Sequence, residues 1–222
     1  MKTSSMLVLF TMLLAGFPMD SRAQSSFYVA NLSGGQVSPP FGSGGDPVGS
    51  PFTGTASLVF TPGDGGGSPT LSYEIVLPGM DLDGSLTPAI LGDDVTAIHI
   101  HFGAPGMNGP HGLNILGLSG GQIREDDADL VVDLASHTIA GIWDDGDQLF
   151  TGPGGTKLAP DSAPLSDAVA DLMSGNLYIQ VHTLNFSSGE LRGQISPVPE
   201  PGSLMLVLLG AGLFCCLRQT RD

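Results

Sequence analysis

Ala97-Ile98-His99-Ile100-His101-Phe102 is the stretch whose alternation decides the fold. A β-strand turns successive side chains to opposite faces, so Ile98, Ile100 and Phe102 point one way and His99 and His101 the other. The isoleucine face must be the core. Leu177-Tyr178-Ile179-Gln180-Val181-His182 follows the same rule, with Leu177, Ile179 and Val181 inward and Tyr178, Gln180 and His182 outward. Three histidines are thereby expected on outer sheet faces.

The same period extends to further candidate strands at Phe27–Leu32, Thr53–Phe60, Leu71–Leu77, Val95–Phe102, Leu113–Leu118, Asp129–Leu134, Ser136–Trp143, Leu177–Thr183 and Gly189–Ile195. Short β-rich runs punctuated by glycine and proline favour a sandwich or barrel over disorder. The segment Pro62 to Pro69 reads as a hairpin loop. Gly34 to Pro51, rich in glycine, serine and proline, reads as a surface crossover. Leu165, Val169, Leu172 and Met173 fall at helical spacing, with Ser166 or Asp167 near the start and Gly175 placed to stop the helix. The expectation is an all-β domain, an antiparallel sandwich or Greek-key barrel with one short helix; immunoglobulin-like and superoxide-dismutase-like arrangements both remain open.

Both ends read as targeting segments. Lys2, the apolar stretch Met6 to Phe17 and the small-x-small Ser21-Arg22-Ala23 form a signal peptide over residues 1–23, with cleavage after Ala23. At the other end, residues 198–222 run from Val198-Pro199-Glu200-Pro201-Gly202 through an apolar helix, Ser203 to Leu217, to Arg218 and Arg221. The prolines break any strand, and the arginines hold the terminus on the cytoplasmic side during export. About 175 residues lie between the two ends, enough for one domain with its own core.

Cys215 and Cys216 both lie in the tail, so the exported body has no disulfide, thiolate metal site or cysteine nucleophile. That body carries three basic residues, Arg124, Lys157 and Arg192, against nineteen acidic ones, a net charge of −16. Such a field repels phosphate backbones and disfavours nucleic acid as a partner, while attracting cations. Phosphate-loop and His-Glu-x-x-His motifs are missing, which removes support for nucleotide-dependent and zinc-protease chemistry.

Two histidines at i and i+2 on a strand sit about 7 Å apart at the backbone, within reach of one metal ion if an adjacent strand adds a third ligand. His182 is the candidate third ligand and His111, in Asn108-Gly109-Pro110-His111, the fourth; His137 has no assigned role. The alternative for each histidine is simple solvation or hydrogen bonding. Copper or zinc suits imidazole donors. Asp144-Asp145-Gly146-Asp147 and Glu125-Asp126-Asp127-x-Asp129 resemble fragments of calcium loops without a full EF-hand spacing, so solvated turns with weak calcium binding are the expectation. Arg192, on one strand face with Glu190 and Gln194, is expected to clamp a loop carboxylate through its planar fork.

Leu32-Ser33-Gly34-Gly35-Gln36-Val37-Ser38-Pro39-Pro40, His99-Ile100-His101-Phe102-Gly103-Ala104-Pro105, Gly175-Asn176-Leu177-Tyr178-Ile179-Gln180-Val181-His182-Thr183 and Gly189-Glu190-Leu191-Arg192-Gly193-Gln194-Ile195 together resemble, in order, the signatures of a CHRD (chordin-type) domain spanning residues 27–196. The resemblance implies binding or structure more than catalysis, with an extracellular protein or polysaccharide as partner. The tail resembles the PEP-CTERM sorting signal, which implies an exosortase-type processing enzyme, a transient membrane anchor, and release to the cell surface or extracellular matrix. More weakly, the order of His99, His101, His111 and His182 is similar to the copper-binding histidines of copper-zinc superoxide dismutase, which implies as the alternative a metal-dependent oxidoreductase. The chain lacks the cysteines of that family's disulfide, and its acidic body would repel an anionic substrate. Fold-level likeness does not establish activity.

Overall fold

The alternating runs become strands of a single continuous sheet. The computed structural model describes residues 24–38, 49–119, 122–125, 129–147, 149–152, 155–158 and 162–199. The signal peptide, the tail from residue 200 and residues 39–48 of the expected crossover lie outside the described residues, as do Asp126 and Asp127. In chain order the strands are β1 Ser26–Ser33, β2 Thr53–Thr61, β3 Thr70–Val76, β4 Val95–Phe102, β5 His111–Ser119, β6 Gln122–Glu125, β7 Val131–Asp133, β8 Thr138–Trp143, β9 Leu149–Gly152 and β10 Gly155–Leu158. The helix α1, Leu165–Met173, follows, and then β11 Leu177–Thr183, β12 Leu191–Gln194 and β13 Ser196–Pro197.

Eleven strands form one sheet in the order β6-β5-β4-β11-β12-β1-β2-β3-β8-β7, with β13 also paired to β1; β9 and β10 form a separate ribbon. Every strand pairing is antiparallel. The sheet curls so that inward side chains from β1, β2, β3, β4, β5, β8, β11 and β12 share one core with Leu165, Ala168 and Leu172 of α1. Ile98, Ile100, Leu177, Ile179 and Val181 are fully buried there, and Phe102 packs against the cluster. The indole of Trp143, also fully buried, donates its Nε1–H to the Ala163 carbonyl at 2.9 Å, which satisfies its one polar atom.

The structure departs from the sequence expectation in two of these elements. The expected strand Asp129–Leu134 shrinks to β7, all three residues of which are exposed on a sheet edge. Met173 is 60% exposed, because the buried stripe of α1 runs through Leu165, Ala168 and Leu172, one position away from the assumed spacing. The helix opens after Pro164, with Ser166 and Asp167 in its first turn as expected, and Asp145 Oδ1 accepts the Ser166 N–H at 2.8 Å. Gly175 does end the helix, in the left-handed region at φ +69°.

Candidate functional site

The antiparallel pairing of β4 with β11 sets His99 opposite Gln180 and His101 opposite Tyr178, while β5 brings His111 opposite His101. Alternation therefore collects the polar residues of three strands on one outer face. The four imidazoles converge: ring centroids lie 4.0 Å apart for His99 and His111, 4.5 Å for His101 and His111, 5.2 Å for His99 and His182, and 5.5 Å for His99 and His101. In His99, His101 and His182, one ring nitrogen from each lies within 4.8 Å of the other two. Tetrahedral coordination at bond lengths of about 2.0–2.1 Å needs a spacing of about 3.3 Å between ligand nitrogens. His111 stacks on His99 beside this triad at 30°. His137 lies elsewhere, in a left-handed conformation with Nδ1 on the Met80 carbonyl.

The hydrogen bonds define which nitrogens are free. His101 Nδ1 lies 3.0 Å from the Gly109 carbonyl and His182 Nδ1 3.0 Å from the Ser187 carbonyl. A carbonyl oxygen only accepts, so each Nδ1 carries the proton and each neutral ring presents a lone pair at Nε2. These two Nε2 atoms, and Nδ1 of His99, are buried and have no hydrogen-bond partner. Burial without a partner is costly for an imidazole nitrogen, and backbone carbonyls that fix the opposite nitrogen are the usual supports of metal-ligating histidines. The residues therefore fit a first-row transition ion with nitrogen preference.

Burial also keeps these rings neutral. The pKa of His99 falls to about 2, through desolvation first and then the neighbouring His111, His182 and His101, with Asn114 opposing. Desolvation pulls His101 down to about 4 against the opposing hydrogen bond to Gly109, and lowers His182 as well. Neutral imidazole is the form that ligates metal.

Facing outward does not mean facing water here: Tyr178, Gln180 and His101 are 1%, 5% and 6% exposed. Loops cover the outer face. Gln180 donates to the Ser188 carbonyl at 2.6 Å, and a Cβ at Gly189, which has φ +119°, would collide with that amide. Over Tyr178 lies the loop between β4 and β5: the Tyr178 hydroxyl accepts the Gly109 N–H at 3.3 Å, and a Cβ at Gly103 would meet the Tyr178 ring at 2.9 Å. Alternation tells which face a side chain takes but carries no signal about what lies over that face. The supporting carbonyls of Gly109 and Ser187 could not be identified from residue type, although Gly109-Pro110 ahead of His111 marks the loop that holds one of them.

The carboxylate clamp expected of Arg192 is also corrected. Arg192 is buried, and no carboxylate among the described residues pairs with it. Its guanidinium donates to the Ser38 hydroxyl, the Asn108 side-chain oxygen and the Ala104 and Met107 carbonyls, and lies 3.5 Å from the centre of the Tyr178 ring. Glu190 is occupied by the hydroxyls of Ser50 and Thr183, each at 2.6 Å. In the acidic turn before α1, Asp144, Asp145 and Asp147 accept backbone N–H groups, so these carboxylates organise the loop. Sequence reasoning passed over a second acidic group, where buried Asp81 accepts the Thr87 N–H at 2.8 Å and desolvation raises the pKa of Asp94, with Asp81, Asp93 and Asp83 adding to it.

The described residues form one curled antiparallel β-domain with a histidine cluster on its outer face. The chain belongs to the CHRD domain family, which matches residues 28–195. Residues 197–221 match the PEP-CTERM protein-sorting motif, a signal recognised by exosortase, which marks a secreted protein processed at the membrane and sorted to the cell surface. No curated protein and no solved structure matches the chain.

Proposed function

We propose that this chain is an exported, non-catalytic CHRD module of the bacterial surface or extracellular matrix that holds one copper or zinc ion on His99, His101 and His182, with His111 beside them. The observation that carries the reading is the cluster of three imidazoles, each with one ring nitrogen within 4.8 Å of the others and each with a buried nitrogen that has no hydrogen-bond partner, two of the rings being oriented by backbone carbonyls. In this reading residues 1–23 are removed on export and residues 198–222 are the sorting tail, cut by an exosortase-type enzyme after a transient stay in the membrane. The metal serves structure or ligand capture at the surface, with an extracellular polysaccharide or protein as partner.

The test is metal analysis of the exported protein made with copper and zinc present, alongside the His99→Ala/His101→Ala variant. One ion per chain that the variant loses is the expected result. Wild-type protein without stoichiometric metal, or a variant that keeps its metal, removes the histidine site. Superoxide turnover at enzyme-like rates would replace the non-catalytic reading with the oxidoreductase one. Mass spectrometry of the exported chain reads both ends: a mature N-terminus at Gln24 and loss of the apolar tail are expected, and an intact tail would leave a permanent anchor instead.

A further inference from the structure

A buried guanidinium without a carboxylate is expensive, and the position of Arg192 explains what it is for. Its planar fork holds the β4–β5 loop from inside: it donates to the Ala104 and Met107 carbonyls and the Asn108 side chain, and reaches Ser38 on the strand-flanking segment across from it. Ser38 itself donates to the Gly106 carbonyl, so the same loop is tied a second time. That loop carries Gly109, whose carbonyl fixes the ring of His101, and leads directly into His111. Arg192 Cζ lies over the Tyr178 ring, 3.5 Å from its centre, and Tyr178 is stacked on His101 at 4.9 Å and 9° between planes. The column Arg192, Tyr178, His101 therefore ends on one candidate ligand, and the loop ends on another.

We propose that Arg192 is a positioning residue of the histidine site, acting through the Tyr178 stack on His101 and through the Ala104–Gly109 loop on His111. This rests on the metal reading above. Lysine cannot replace it, because a single ammonium point charge neither spans the loop carbonyls together nor stacks flat on the phenol ring. Tyr178 has two separable parts: its ring carries the stack, and its hydroxyl accepts from Gly109 N–H. Outer partners of metal ligands typically change affinity by 10–100-fold when replaced.

The test uses Cu(II) alone as the probe on the exported protein, reading affinity by competition with a chelator and the ligand set by electron paramagnetic resonance. For Arg192→Lys the expected result is a roughly 10–100-fold loss of affinity and an altered nitrogen hyperfine pattern. Tyr178→Phe, which keeps the ring, shifts both less than Tyr178→Leu, which removes it. Leu58→Ala, a core change on β2, is the comparator for lost stability: it leaves affinity and spectrum as in the wild type. Arg192→Lys protein with wild-type affinity and spectrum overturns the proposal, as does a Leu58→Ala shift of the same size. If Arg192→Lys does not fold, the ordering of the two Tyr178 variants decides, and equal effects overturn it. Wild-type protein that binds no Cu(II) sinks the metal reading first, an outcome distinct from normal loading in every variant.

Discussion

The inner face of the β4–β11 pair is removed from water, and much of its outer face is too, yet by different means. On the inner face Ile98, Ile100, Leu177, Ile179 and Val181 are buried by packing into the shared core, a non-directional stabilisation set by apolar area. On the outer face Tyr178, Gln180 and His101 are buried under loops, each through named hydrogen bonds to main-chain groups. The inner face contributes stability and asks little about detail. The outer face spends desolvation energy on imidazoles and a guanidinium and gains a fixed arrangement of nitrogens.

The largest effect that separates the faces comes from the inner one. Ile179→Ala removes a fully buried side chain of the core cluster, and a loss of about 2–5 kcal/mol in unfolding free energy is expected. Denaturant titration measures it, and metal content per folded chain stays unchanged. Parallel loss of metal from the folded fraction would mean that the two faces are coupled and would break the comparison.

Acidification acts on the outer face. His101 has a folded pKa of about 4, and His99 of about 2, against about 6.5 in an unfolded chain. Between those limits the unfolded chain binds protons that the folded one refuses, so stability rises with pH and falls as the pH drops. For metal-free protein the decline from His101 begins near pH 6.5 and levels off near pH 4, with a slope of at most about 1.4 kcal/mol per pH unit; His99 adds a parallel contribution over the same interval and carries the decline further down. Unfolding measured across that interval checks it. His101→Gln should reduce the slope between about pH 6.5 and pH 4, and an unchanged slope would remove His101 from the acid response.

Period two was enough to assign faces to β4 and β11 and to bring His99, His101 and His182 into one candidate group, because strand alternation is a local property of the chain. The register that places His111 against His101 was not legible, since it depends on pairing across a bulged β4–β5 ladder. Burial of the outer face was equally hidden: it comes from loop closure over Tyr178 and Gln180, and glycine-rich segments carry no periodic signal. Strands β6, β9, β10 and β13, of two to four residues, are too short for alternation to register. Arg192 was placed on the correct strand, but its partners are main-chain carbonyls, which residue identity does not announce.

Helix α1 gives the smallest effect and the control for the strand pair, because its two sides differ in the ordinary way. Leu172 is fully buried in the core cluster, whereas Met173, the next residue, is 60% exposed. A rotation of about 100° per residue carries the chain from the packed side to water in one step. Met173→Ala is therefore expected to change stability by no more than about 0.5 kcal/mol, while Leu172→Ala costs about 2–5 kcal/mol. Denaturation midpoints of the two variants measure the contrast, and neither should alter metal loading. A Met173→Ala loss as large as that of Leu172→Ala would place both side chains in the core and restore the stripe read from Leu165, Val169, Leu172 and Met173. Only a helix with one wet side and one dry side makes the β4–β11 pair, with much of its outer face buried too, the exception that calls for a functional reason.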